Sequence, residues 1–273
     1  MATLYIVPTP IGNLKDITYR AVEVLQNSHL IAAEDTKNSA KLLNHYNIDT
    51  PMVSYHKFNE RKRTDMILQK LKSGEDVAVI SDAGTPGISD PAAIIIIEAI
   101  DAGFRVETLP GATAFVPALV SSGLDCYNFY FAGFIPDKEK LREILLTEIA
   151  EYSATLIFYE APHRITKTLA VLYKYFGNRQ VVVARELSKI YETYVRSDLK
   201  HLTEHPEDIT IKGEFVIIVE GKKDEEITEE KIISMIKANL KTGASKKTAV
   251  KETAKQTGEN KNKVYELALK LKQ

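Results

Sequence analysis

A chain of 273 residues, 44% apolar and 27% charged, can bury a large core, and its composition is not that of a disordered, collagenous or disulfide-stapled protein. A single cysteine, Cys126, excludes an internal disulfide framework, fits a reducing compartment and reads as a small buried apolar residue. Net charge is -1, but residues 231–273 hold 11 Lys and Arg against 3 Asp and Glu, leaving 25 against 34 elsewhere: either a tail facing nucleic acid on an acidic body, or a solvated lysine-rich helix pair. The opening residues lack the basic and apolar regions of a signal peptide. The longest apolar runs, such as Ala92 to Ile97, are too short to span a bilayer, so the expected location is the cytoplasm.

Strand-like apolar runs alternate with helical periods. Leu4 to Val7 reads as a strand, and Ile17, Ala21, Val24 and Leu25 as one face of a helix. Leu30 to Ala33 is a second strand, followed by a helix near Thr36 to Tyr46. Met52 to Tyr55 reads as a short strand, and Met66, Leu68 and Leu71 fall in the next helix. Val77 to Ile80, a helix over Ala92 to Ala102, a strand at Arg105 to Leu109 and a helix beginning at Ala114 complete a first half. Beyond Ser121-Ser122-Gly123 the alternation resumes. Strands are predicted at Phe129 to Phe134, Ala154 to Tyr159, Val181 to Ala184 and Phe215 to Val219, and an antiparallel one at Tyr191 to Arg196. Helices are predicted at Leu141 to Ile149 and Pro162 to Tyr175. The pattern argues for an α/β protein: two α/β domains with mainly parallel sheets, residues 1–120 and 121–225, and a small C-terminal helical module, residues 226–273.

Three loops rich in small residues leave strand ends in the first half: Pro8 to Asn13, Ser81 to Pro91, and Pro110 to Ala114. Each alone is a weak signal. Converging on one sheet edge, they imply a groove whose bare backbone grips a nucleotide-like ligand. No G-x-x-x-x-G-K-[ST] occurs, and no G-x-G-x-x-G follows the first strand, which disfavours a P-loop nucleotidase and an ordinary dinucleotide site. No H-E-x-x-H or paired C-x-x-C suggests a metal. Asp82 reads as a contact to an amino group or ribose hydroxyl, or else as an Asx turn. Asp90 before Pro91 reads as a helix N-cap. Glu34 and Asp35 either face substrate or cap the next helix, with Asp35 or Thr36 the cap. Pro162 suits a first helical turn, Arg164 a phosphate clamp or an ordinary first-turn arginine, and His163 a surface position. Arg185 to Lys189 is a second charged cluster, functional or merely a salt-bridge patch.

In the tail, Ile232, Ile233, Ile236 and Leu240 share a helical face. Ala249, Val250 and Ala254 share a second, ending at Thr257-Gly258. Asn260 can cap a third carrying Val264, Leu267, Ala268 and Leu271. Helix, glycine turn, helix reads as a helix-turn-helix, or as a small helical cap for dimer contacts.

The ordered set Thr9 to Leu14, Ala33 to Thr36, Ser81 to Pro91, Pro110 to Ala114, Tyr159 to Arg164, Arg185 to Lys189 and Lys212 to Glu214 resembles the tetrapyrrole methylase superfamily over roughly the whole chain. Pro8 and Pro10 stand where porphyrin-methylating relatives carry glycines, as in the RNA-modifying branch. The resemblance implies a homodimer that binds S-adenosylmethionine in a cleft between two α/β domains. It implies methylation of the ribose 2′-hydroxyl of a decoding-centre cytidine in 16S rRNA. Carried over by position, Ile11, Asp82, Thr85, Thr113 and Ala114 would contact the methyl donor, joined by Phe158, Tyr159, Ala184 and Gly213 from the second half. Proton removal needs a base or a nearby cation: Glu34, Asp35 and Glu160 are candidate bases, Arg164 and Lys189 candidate cations. Lys246, Lys247, Lys251, Lys255, Lys261 and Lys263 would meet RNA phosphate. No metal is required. The competing readings are a small-molecule, tetrapyrrole-type methyltransferase and a non-enzymatic RNA-binding protein.

Overall fold

A computed structural model of the chain describes residues 2–90, 92–223 and 228–271. It divides into two compact units, one ending at Lys222 and one beginning at Lys223, each taken by itself below.

The first half of the larger unit runs β1 (Thr3–Ile6), α1 (Tyr19–Asn27), β2 (Leu30–Ala33), α2 (Thr36–His45), β3 (Met52–Ser54), α3 (Glu60–Lys72), β4 (Val77–Ile80), α4 (Ala93–Asp101) and β5 (Arg105–Thr108). The strands form one sheet in the order β3-β2-β4-β1-β5, every ladder parallel. Continuous apolar strands suit a sheet covered on both faces. Leu4, Ile6, Val77 and Val79 point toward Ile67, Leu71, Ile95 and Ala99 of α3 and α4. Val7, Ile31, Ala78 and Ile80 point the other way, toward Ala21, Leu25 and Leu43 of α1 and α2. Two helices start on side-chain caps: the Thr18 hydroxyl accepts from Ala21 N at 3.0 Å, and the Asp35 carboxylate accepts from the N–H groups of Lys37 and Asn38.

The second half runs α5 (Phe115–Ser122), β6 (Phe129–Phe134), α6 (Glu139–Ile149), β7 (Thr155–Glu160), α7 (Ile165–Phe176), β8 (Gln180–Arg185), β9 (Thr193–Asp198), α8 (Leu199–Glu204) and β10 (Phe215–Val219). Its sheet has the order β6-β7-β10-β8-β9. Only β6 and β7 are parallel; β10 runs antiparallel to both neighbours, and β9 antiparallel to β8. Five of the eight ladders in the two sheets are thus parallel. Leu156, Phe158, Val181, Val183 and Ile217 face a core shared with α6, α7 and α8. Ile157, Val182, Ala184, Val216 and Ile218 face Ala118 and Leu119 of α5. The helix at position 120 therefore packs on the second sheet, and the chain crosses from one sheet to the other's layer between Leu109 and Phe115.

Three local expectations are corrected. Asp90 caps no helix: α4 has Ala92 at its N-cap position, without a side-chain bond, and Pro91 lies outside the described residues. Pro162 is not in the first turn of α7, which starts three residues later at Ile165; a separate turn holds 162–164. Cys126 is exposed rather than buried.

The smaller unit is three helices: α9 (Glu229–Lys241), α10 (Lys246–Thr257) and α11 (Lys261–Lys270). Thr228, Ser245 and Asn260 cap them through their side chains, and Gly258 ends α10 at φ +68. Ile232, Ile236, Val250, Val264, Leu267 and Ala268 close a core of their own. Residues 224–227, which include the expected start of this module at Glu226, lie outside the described residues.

Candidate active site

Because β4, β1 and β5 are neighbours in a parallel sheet, the three small-residue loops emerge side by side at its C-terminal edge, where open α/β sheets bind ligands. They are tied together. Thr9 and Gly84 exchange backbone hydrogen bonds, each 2.9 Å. The Thr9 hydroxyl donates to the Ser81 carbonyl at 3.1 Å, and the Thr85 hydroxyl to the Ala112 carbonyl at 3.1 Å. Gly84 sits at φ +80, where a side chain is strained. A Cβ on Gly111 would lie 2.6 Å from Cβ of Pro8, so only bare backbone lets the first and third loops touch.

These loops form one wall of a cavity of about 530 Å³, within the roughly 300–1,000 Å³ of small-molecule sites. Ile11, Asp82 to Thr85, Ile88 to Asp90, Thr113, Ala114 and Glu34 come from the first half. Phe134, Tyr159 to Pro162, Leu187 and Glu214 to Val216 come from the second. The described lining includes the acidic residues Glu34, Asp82, Asp90, Glu160 and Glu214 and no Lys, Arg or His; the Glu160 side chain has no exposed surface, so four of the five present a carboxylate.

Three of these carboxyl groups are pushed above the usual range. Burial is the main cause for Glu34, with the neighbouring Asp90 charge adding to it. Burial also raises Asp82 and Asp90, opposed by hydrogen bonds from Asp35 N–H and the Ser81 hydroxyl respectively. The backbone N–H of Asp35 donates to Asp82 Oδ1 at 3.2 Å, and that of Asp82 to Glu34 Oε2 at 3.4 Å. Burial pushes the Tyr159 phenol up to about 12, against the pull of backbone N–H groups at Phe115 and Ala114 where α5 begins.

Of the residues expected to touch the methyl donor, Ile11, Asp82, Thr85, Thr113, Ala114 and Tyr159 line this cavity. Phe158 does not: side chains alternate along a strand, so with Tyr159 facing the cavity Phe158 points into the opposite core, fully buried. Ala184 is on the cavity-side face of its sheet but sealed. Gly213 stands off the lining, at φ +92, where a Cβ would lie 2.3 Å from Glu186 Cδ.

Of the candidate bases, Glu34 lines the cavity; Glu160 borders it with its side chain fully buried, and Asp35 does not line it, its carboxylate being spent as the α2 cap. Glu160 is saturated. Its Oε1 accepts from Ala161 N at 2.8 Å and pairs with Arg164 Nε at 3.2 Å, while Oε2 accepts from the Thr168 hydroxyl at 2.5 Å. Neither candidate cation lines the cavity. Arg164 is held by Asp137 at 2.6 Å and by the Ile135 carbonyl at 2.7 Å. Lys189 pairs with Glu186 at 2.7 Å and Glu214 at 3.0 Å. All six tail lysines, Lys246, Lys247, Lys251, Lys255, Lys261 and Lys263, are exposed; Lys263 pairs with Glu259 at 2.9 Å.

Sequence reasoning missed Asp90, Leu187, Phe134 and Glu214 as lining residues. Leu187 sits between two residues in the left-handed region, Glu186 at φ 53 and Ser188 at φ 63. Such backbone is costly and clusters at ligand sites, and no residue type announced it. The segment is pinned on several sides: Ser188 Oγ donates to Asp16 at 2.6 Å, Ser188 N donates to Glu192 at 2.6 Å, and Lys189 Cγ fills the space beside Gly12.

Residues 3–203 match the family described as Tetrapyrrole (Corrin/Porphyrin) Methylases. The chain belongs to the tetrapyrrole methylase family. Residues 228–272 of this methylase match a second family, described as RsmI C-terminal HTH domain. The methylase is 42% identical, over 99% of both chains, to a protein of Synechocystis sp. named ribosomal RNA small subunit methyltransferase I. It is 44% identical to the Haemophilus influenzae protein of the same name, over 97% of this chain and 96% of that one. Among solved structures, the methylase fold is shared with diphthine synthase (TM-score 0.67, 14% identity, 82% of this chain and 92% of that one). It is shared too with the uroporphyrin-III C-methyltransferase of Thermus thermophilus complexed with S-adenosylhomocysteine (TM-score 0.55, 17% identity, 80% of this chain and 97% of that one). No described helix of the methylase is long and apolar enough to cross a membrane.

Proposed function

We propose that this methylase transfers a methyl group from S-adenosylmethionine to the ribose 2′-hydroxyl of a decoding-centre cytidine, cytidine 1402 of 16S rRNA, acting as a cytoplasmic homodimer. The observation that carries the reading is the cavity itself: the carboxylates of Glu34, Asp82, Asp90 and Glu214 and no cation among its described lining residues. Such a lining suits a positively charged ligand and repels a phosphate or a polyacidic tetrapyrrole. Full-length relatives named for rRNA methylation support the substrate.

The residues present fit the cofactor. Asp82 and Asp90 would hold its cationic and hydroxyl groups, Thr113 and Ala114 would present backbone, and Ile11, Ile88, Leu187 and Tyr159 would exclude water. Bound there, S-adenosylmethionine supplies a methyl group on a positively charged sulfur. The chain's own work is then positioning and proton removal. Glu34 is the base best supported, because burial and neighbouring acids raise its basicity and its carboxylate reaches the cavity. Glu160 serves instead as an internal anchor for Arg164 and the start of α7. The tail lysines would bind phosphate and give RNA affinity a steep salt dependence.

Mass spectrometry of 16S rRNA from cells with and without the protein tests the proposal. The 2′-O-methyl group at that cytidine is expected to vanish in its absence. An unchanged modification profile, or methyl transfer to a porphyrin and not to RNA by the pure protein, would overturn it.

A further inference from the structure

The cavity's carboxylates set a problem for an RNA substrate, because they repel the phosphates on either side of the reacting ribose. Cations must hold that backbone at the rim. The turn between β3 and α3, at the same edge of the sheet, carries a cluster of cations.

Ser54 pairs with Ala33 in the sheet, and Tyr55 N donates to the Ala33 carbonyl at 2.7 Å. The chain therefore leaves β3 beside Glu34, at the same sheet edge as the three cavity loops. Side chains then fix the turn. Tyr55 is buried, its hydroxyl 3.2 Å from Thr64 Oγ1. Asn59 Oδ1 accepts from His56 N at 2.9 Å, and Asn59 Nδ2 donates to the Ser54 carbonyl at 3.2 Å and to its hydroxyl at 3.1 Å. At the tip of this braced turn Phe58 is 94% exposed, its ring edge-on to that of His56 with centroids 6.0 Å apart. An aromatic held that far into water contributes nothing to the core. Lys57, Arg61 and Lys62 flank it, all exposed and none in an ion pair among the described residues.

We propose that this turn docks single-stranded RNA, with one base stacked on Phe58 and the adjoining phosphates on Lys57, Arg61 and Lys62. An aromatic face among cations is how proteins grip unpaired nucleotides. The inference rests on the RNA-methylating reading above and adds a contact outside both the cavity and the tail.

The test measures binding of a fluorescently labelled single-stranded RNA of decoding-centre sequence to the full chain by anisotropy, beside methyl transfer to 16S rRNA and thermal melting. Phe58→Ala is expected to weaken binding about tenfold with melting unchanged, and Phe58→Trp to restore it. The double variant Arg61→Ser/Lys62→Ser is expected to flatten the salt dependence by about 1.4 in log–log slope. Wild-type affinity in Phe58→Ala and in the double variant would overturn the docking site while leaving the proposed function standing. Loss in the double variant alone would overturn the stacking role of Phe58. Binding through Phe58 by a chain that methylates no rRNA would overturn the proposed function and keep the docking site.

Discussion

The carboxylate of Glu34 accepts a hydrogen bond from the backbone of Asp82 at 3.4 Å, so the ends of the neighbouring strands β2 and β4 clasp each other where both line the cavity. The clasp sets acids close together in a partly buried place, and burial raises both. A carboxyl raised on folding contributes stability that is fully present below its unfolded value and lost as pH climbs through the folded one. Asp90→Asn is therefore expected to raise the melting temperature of the ligand-free protein at neutral pH, with the gain fading in acid. A cationic ligand prefers the ionised carboxylates, so calorimetry from neutral pH down into the ordinary carboxylate range should show affinity for S-adenosylmethionine falling at higher pH than an unperturbed carboxylate would impose. A flat affinity profile over that range would remove the acids from the site.

Gly12 is bound to the strained Leu187 segment by lack of space. A Cβ there would lie 2.4 Å from Lys189 Cγ and 2.9 Å from the Leu187 carbonyl. Gly12→Ala is expected to cost about 1–3 kcal/mol in urea unfolding, as overpacking does, and to weaken cofactor binding by displacing Leu187. Cofactor affinity equal to wild type would mean that Leu187 takes no part.

Arg164 lies beside a carboxylate with no exposed side-chain surface, that of Glu160. Arg164→Ala should destabilise by about 3 kcal/mol, because it strands a buried charge. The pair Glu160→Gln with Arg164→Ala should cost less than the two single changes added, a coupling that a double-mutant cycle measures. If Arg164→Ala instead lowers kcat with unfolding unchanged, the arginine is catalytic rather than structural.

The helical unit beyond Lys222 has its own core. Removing residues 223–273 is expected to weaken rRNA binding at least tenfold and to reduce its salt dependence, since six exposed lysines go with it. Affinity for S-adenosylmethionine should stay the same. Equal loss of both would make the tail a structural support.

How far the sequence could be read depended on whether a signal was local. Apolar runs of four to six residues placed the strands, and glycine and proline clusters placed the three loops, because both signals reside in adjacent residues. The period of two also separates Tyr159 from Phe158, whereas a match by strand end places both at the ligand. Asp90 misled for a different reason. Asp before Pro looks the same whether the carboxylate caps a helix or turns into a cavity, and only tertiary burial decides. Leu187 was invisible because its role comes from the left-handed backbone on either side, at Glu186 and Ser188, not from its side-chain chemistry. The reversal of β10 was equally hidden, since an apolar run carries no direction.

That strand has a bearing on how the protein is made. β10 is the middle of its sheet but the last strand among the described residues, and Glu214 to Val216 at its start complete the cavity wall. A nascent chain emerging from the ribosome can assemble the five-stranded parallel layer early, whereas β6 with β7 and β8 with β9 must wait as two separate ribbons. The pocket thus closes only when β10 has been made, and a product cut short before Glu214 has a finished first layer but no pocket.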